Sequence, residues 1–107
     1  MRYEYRDYRT SDGSMYIGFG FCNLGFLKGW RIYIIEDIDY EGRDISYHAT
    51  HRLYYDGDEY ACICWEGKLR SFEEAKAVAS LWADCTSLYI QGKGSFDAIA
   101  KRLIASR

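Results

Sequence analysis

His48-x-x-His51 and Cys62-x-Cys64 are the residues best suited to metal or nucleophilic chemistry in this 107-residue chain, with Cys22 and Cys85 as the remaining thiols. Zinc asks for four nitrogen or sulfur ligands in a tetrahedron, so the residue types suit it. The spacing suits it less. Cys-x-Cys is not the usual C-x₂₋₄-C knuckle. Cys62 and Cys64 also sit in an apolar run, where a free thiol behaves as a small hydrophobe. If Asp56-Gly57 forms a two-residue hairpin turn, His51 faces Cys62 across the ladder, Ala49 faces Cys64, and Leu53 faces Tyr60. Arg52 with Ala61, Thr50 with Ile63, and His48 with Trp65 then lie on the other side. That would put His51, Cys62 and Cys64 on one face and allow a Cys–His hydrogen bond, the start of a nucleophilic site. The sequence offers no orienting carboxylate for it. Buried, reduced thiols are the simpler expectation, with no cofactor.

Other spacings carry less. Asp37-x-Asp39-x-Glu41-Gly42 resembles the first half of an EF-hand loop, but position 12 would be His48 in place of a bidentate Glu. A solvated acidic loop accounts for it. Gly18-Phe-Gly20 is not a dinucleotide fingerprint, because no helix is expected after it. There the glycines let a backbone or a large ring sit against a strand.

The elements that must position these residues change type along the chain. Arg2 to Arg9 alternate as an edge strand. Met15, Ile17, Phe19 and Phe21 alternate with Tyr16, Gly18, Gly20 and Cys22, a period-2 strand with one large and one small face. Trp30-Arg-Ile-Tyr-Ile-Ile35 is strongly β-prone and central. Residues 47–65 read as a hairpin. Ser71-x-x-Glu74 is then a capping box. It opens a helix with Phe72, Ala75, Val78, Ala79, Trp82, Cys85 and Tyr89 on one face. Glu73, Lys76, Ser80, Asp84, Ser87 and Gln91 form a polar stripe opposite, and Gly92 stops the helix. Ser95 caps a second helix with Phe96, Ile99, Ala100, Leu103 and Ile104 on one face. Asp97 and Lys101 make an i,i+4 pair on its surface. Leu81 and Leu88 either seat that helix or seal a homodimer. The expected fold is a single α+β domain over 1–107: an antiparallel meander of four to five strands within 1–65, a long helix over 72–91 packed on the sheet, and a short helix over 96–105.

Composition sets the functional limits. Lys plus Arg is 14 against 16 for Asp plus Glu, a net charge of −2. That lacks the basic excess of a general polyanion binder. Residues 36–59 hold eight acids against two arginines, a local −6. There is no run long enough for a membrane span. No signal peptide is expected, and the four cysteines fit a reducing cytoplasm. Aromatics make up 18% of the chain; 11 of the 19 are tyrosine, and ten of those tyrosines lie in the strand half. Tyr3, Tyr5, Tyr8 and Tyr16 beside Arg2, Arg6 and Arg9, with Lys101 and Arg102 at the other end, could stack bases and hold phosphates. Protein binding explains the same tyrosines with less strain, since Tyr and Arg anchor interfaces.

The stretch from Trp30 to Asp84 resembles small uncharacterised bacterial proteins of phages and mobile elements. The resemblance rests on Trp30-Arg-Ile-Tyr-Ile-Ile35, His48-Ala-Thr-His-Arg52, Ala61-Cys-Ile-Cys-Trp65 and Glu74-Ala-Lys-Ala-Val-Ala-Ser-Leu-Trp-Ala-Asp84. In size and character the chain is also similar to anti-CRISPR and other anti-defence inhibitors. The resemblance implies a non-enzymatic module that inhibits or regulates a host protein, a nucleic-acid-binding effector among the candidates. The expected contact is the acidic loop Glu36, Asp37, Asp39, Glu41 and Asp44 with Tyr40 at its centre. A nucleic-acid-binding accessory protein is the alternative, and a small Cys/His enzyme or zinc protein the third reading.

Overall fold

A computed structural model describes residues 2–107. Five antiparallel strands are followed by two helices: β1 Glu4–Arg9, β2 Tyr16–Asn23, β3 Trp30–Ile34, β4 Arg52–Leu53, β5 Cys62–Ile63, α1 Phe72–Ile90 and α2 Phe96–Ala105. The sheet order is β1-β2-β3-β5-β4, so β3 is central and the charged β1 forms one edge. The α+β class, the long helix on the sheet and the short last helix are those expected from the sequence.

The alternation of β2 divides its side chains between two cores. Ile17, Phe19 and Phe21 join Ile32, Ile34 and Ile63 under α1, where Ala75, Val78, Ala79, Trp82 and Cys85 close the layer. On the helix-free face Cys22, Tyr33 and Cys62 are buried beneath Tyr3, Leu24, Ile35 and Tyr60. Gly18 and Gly20 make that second core possible. A methyl at Gly20 would lie 3.1 Å from the Tyr3 ring and from Ile35 Cδ1, and one at Gly18 would collide with the Tyr5 hydroxyl. The rings of β1 therefore lie flat across β2, as the two glycines suggest.

α1 begins where the capping signal puts it. Ser71 Oγ accepts from the Glu74 amide at 3.1 Å. Glu74 reaches one residue further back than in a standard capping box, accepting from the Arg70 amide at 2.9 Å. The helix ends in a Schellman motif on Gly92 (φ 77°). The Gly92 amide donates to Tyr89 O and the Lys93 amide to Leu88 O, both at 3.0 Å. Leu81 and Leu88 are half-buried against the core.

The polar stripe of α1 is not solvated along its whole length. Asp84 is only 6% exposed and Ser87 2%. The 10–15 turn between β1 and β2 docks there. Asp84 accepts from the Ser11 amide at 2.8 Å and from Ser11 Oγ at 2.7 Å. It also takes the Tyr8 hydroxyl at 3.3 Å and Arg107 at 3.2 Å. Asp12 accepts from Ser87 Oγ and Gln91 Nε2, each at 2.7 Å. A buried polar group is tolerated when its bonds are met, and these are met by another element.

That network has a pH consequence. Desolvation alone would raise the Asp12 carboxyl, but hydrogen bonds from Ser87, the Ser14 amide, Thr10 and Gln91 outweigh it and hold the group well below the usual carboxylate range. A depressed folded-state value stabilises the fold above the unfolded carboxylate value of about 3.9, and the stabilisation is lost as pH falls through and below that point. Asp12→Asn is expected to lower the urea midpoint at pH 7 and to narrow the difference from wild type at pH 3. Equal midpoint differences at the two pH values would contradict the linkage.

Candidate functional site

The 44–53 segment is where the sequence reading and the structure part, and it builds a large open cleft. Residues 47–51 do not extend β4. Ser46 receives the Ala49 amide on its hydroxyl at 3.2 Å and the Thr50 hydroxyl on its carbonyl at 2.8 Å. The chain winds one turn and closes with a second Schellman motif. Here the His51 amide donates to His48 O at 3.4 Å and the Arg52 amide to Tyr47 O at 3.0 Å. His51 takes the left-handed position that usually falls to glycine, with φ 52°. A non-glycine residue held there is conformationally costly and is a pointer to function.

The turn is fixed from the helix side. The Trp82 indole N–H donates to Thr50 O at 3.1 Å. The His51 imidazole stacks on Phe96 with centroids 4.6 Å apart and an interplanar angle of 18°. Its Nε2 meets Asp97 Oδ1 at 2.7 Å. Asp97 thus pairs with His51, and the expected Asp97–Lys101 pair is not formed. The start of α2 lies against the 47–51 turn, which brings the imidazole nearer than the lysine one turn along.

The hairpin after it keeps its turn but changes register. The Asp58 amide donates to Tyr55 O at 3.1 Å, so Asp56-Gly57 is the turn centre. Leu53 pairs with Cys62 and Arg52 with Ile63, two residues out of the expected alignment. The cause is asymmetry: residues 58–61 occupy the return side, while only Tyr54 and Tyr55 occupy the outgoing side. His51 consequently neighbours Cys64, whose amide donates to His51 O at 2.9 Å. The expected His51–Cys62 contact is absent, because Cys62 is buried with Cys22 and Tyr33 on the helix-free face. His51, Cys62 and Cys64 therefore do not converge. Among the described residues no group of three His, Cys, Asp or Glu side chains is placed to hold a metal ion. Nor does a hydrogen bond join Cys64 Sγ to the imidazole among them.

An open cleft of about 770 Å³ results, walled by Tyr47, His51, Leu53 and Trp65 and rimmed by Glu66 and Asp97. Beside it an apolar slot of about 130 Å³ runs between Ile63, Trp65, Trp82, Phe96 and Ile104. Trp65 is 45% exposed, and Ile45, Tyr47, Leu53 and Tyr54 on the same segment are also exposed. Arg52 stabilises the wall: its Nε donates to Thr50 Oγ1 and its Nη2 to Ile45 O, both at 2.8 Å. Its guanidinium lies 4.8 Å from the Tyr47 ring and 5.2 Å from that of Tyr40.

The thiols differ sharply across this architecture. Burial pushes Cys62 and Cys85 up to about 11 and raises Cys22. Cys64 alone is half-exposed, at the cleft. Iodoacetamide at neutral pH is therefore expected to modify Cys64 first. Peptide mass spectrometry should find the other three protected until the chain is unfolded. Early labelling of Cys62 would contradict the buried cluster.

The acidic loop is brought together only in part. Glu36, Asp37, Asp39, Glu41 and Asp44 are exposed. Tyr40, expected at the centre of that contact, is only 4% exposed and packs edge-on against Tyr89 at 6.2 Å. Its ring anchors the loop to α1 and leaves only the carboxylates for a partner. Three of them spend an oxygen on backbone amides: Glu36 on Gly18 of β2 at 3.2 Å, Asp39 on Glu41 at 2.8 Å, and Asp44 on Ser46 at 2.9 Å.

The Arg/Tyr set is also divided. Tyr3, Tyr5 and Arg9 share the helix-free face, where Arg9 lies 5.9 Å over Tyr16. Arg6 points the other way, over Phe72 at 5.4 Å, and pairs with Glu4 at 2.7 Å. Arg2 and Lys101 are exposed, Lys101 on α2 in the helical layer, and Arg102 Nη2 donates to Lys93 O at 2.9 Å. Tyr33 is fully buried, its hydroxyl donating to Asp58 at 2.8 Å. Burial, reinforced by that carboxylate and opposed by Arg31, pushes it up to about 12.

A second exposed apolar feature is the β2–β3 tip, where Phe26 is 94% exposed beside Lys68 and Arg70. No helix is long and apolar enough to cross a membrane among the described residues. Comparison with known proteins finds no matching family model, no matching curated protein and no matching solved structure.

Proposed function

We propose that this chain is a non-enzymatic protein-binding module, an inhibitor or regulator of a host protein of the kind phages and mobile elements carry. The observation that supports the reading is the exposure of three large side chains on the open cleft, Tyr47 and Leu53 from one segment and Trp65 from just after β5 beside it. Exposed aromatic surface gathered in one place marks interaction sites more often than isolated exposed rings do. Tyr and Trp are the residue types that anchor interfaces. The exposed acidic loop, five carboxylates against Arg43 over residues 36–44, steers a basic partner toward that surface. The four free thiols fit work in a reducing cytoplasm.

Affinity capture from nuclease-treated bacterial lysate tests this. The expected result is a discrete protein retained by wild type and lost with a folded Tyr47→Ala/Trp65→Ala variant. Retention that disappears with nuclease alone would instead favour the nucleic-acid reading.

A further inference from the structure

We propose that the cleft at the 47–51 turn is a receptor for a guanidinium group, so that the partner presents an arginine there. The inference rests on the protein-binding reading and names the chemistry of its contact. Three observations carry it. The walls are aromatic: Tyr47 and Trp65 are both exposed on the cleft, and the His51 ring, stacked on Phe96 of α2, lines it too. Flat rings attract cations through their negative faces, arginine most often.

The rim is anionic. Asp97 is 72% exposed and uses Oδ1 on His51, which leaves Oδ2 open. Glu66 stands exposed on the same rim and forms no ion pair among the described residues. Two carboxylates beside aromatic faces provide both acceptors and stacking for a planar fork, which an ammonium uses less well.

The cation already on the lining, Arg52, takes one face of Tyr47 and leaves Trp65 as the open ring. Arg52 has Nε and Nη2 committed to Thr50 and Ile45. Its position 4.8 Å from the Tyr47 ring shows that this wall holds a guanidinium at stacking distance.

Titration of the isotopically labelled full chain with L-argininamide, followed by NMR, tests the proposal. L-citrullinamide, the neutral isostere, and L-lysinamide serve as comparisons. Argininamide is expected to shift the Trp65 indole N–H and the His51 and Glu66 amides in a saturable way. Its affinity should exceed that of citrullinamide by about tenfold. Glu66→Gln and Trp65→Ala, each shown folded by its thermal melt, should each weaken it several-fold.

Absence of saturable shifts would overturn the proposal. So would equal response to citrullinamide, lysinamide binding as tight as argininamide, or shifts confined to the 36–44 loop. A captured partner that still protects the cleft while argininamide fails would remove the guanidinium assignment and leave the binding reading intact. Loss of capture removes the latter.

Discussion

Replacing Trp82 by alanine is expected to destabilise the fold by about 3–5 kcal/mol, the usual cost of truncating a buried aromatic. Trp82 is only 3% exposed and lies edge-on to Phe19 at 6.0 Å and tilted on Phe96 at 6.2 Å. It thereby joins β2, α1 and α2. The loss exceeds volume alone, because Thr50 O would be left without its donor. Against a total stability of about 5–15 kcal/mol, that is a large fraction. Urea unfolding should show it as a lowered midpoint. Trp82→Phe should recover most of the packing and still loosen the 47–51 turn, since it has no N–H. A loss below about 1 kcal/mol for the alanine variant would mean that Trp82 does not join the two helices to the sheet.

The second large effect is at Asp84. Asp84→Ala removes the acceptor for the Ser11 amide and hydroxyl and for Tyr8. Donors stripped of their partner at a buried site account for about 2–3 kcal/mol. Arg107 adds little, because its side chain is 45% exposed and screened. In the Asp84→Ala background, Ser11→Ala should cost almost nothing further, the coupling expected of residues in one network. Additive losses would mean that the 10–15 turn is held by something else.

These two residues mark what was legible in the sequence. The helical face around Trp82 could be read directly, because its burial follows from a 3.6-residue period and Ser71 and Gly92 fix both ends. Asp84 reads from sequence as solvent-facing, since a polar stripe opposite an apolar face normally meets water. The β1–β2 turn covers it instead, and only tertiary structure brings residues 11 and 84 together. The same limit hid the His51–Asp97 pair, whose partners are 46 positions apart.

The 47–51 turn was missed for a different reason. Tyr47, Thr50 and the hairpin signal at Asp56-Gly57 argue for a strand. Ser46 and a left-handed His51 make a helical turn the better local solution. Glycine would have announced that position, and histidine does not. Tyr40 was misread because acids on both sides suggested a solvated loop, while its ring fills the space beside Tyr89. Trp65 reads from sequence as the cross-strand partner of His48, and the changed register sets it on the cleft instead.

The acidic loop is exposed and its only large ring is buried, so we propose it for steering and not for contact. The contact we propose is the cleft, which combines aromatic walls with two carboxylates.

Hydrogen–deuterium exchange on the chain, free and in complex with its captured partner, tests that most directly. Protection on binding is expected at the amides of residues 47–53 and 64–66, with the 25–28 tip unchanged. Protection confined to the 36–44 loop or to the 25–28 tip, with the cleft exchanging as in the free chain, would contradict it.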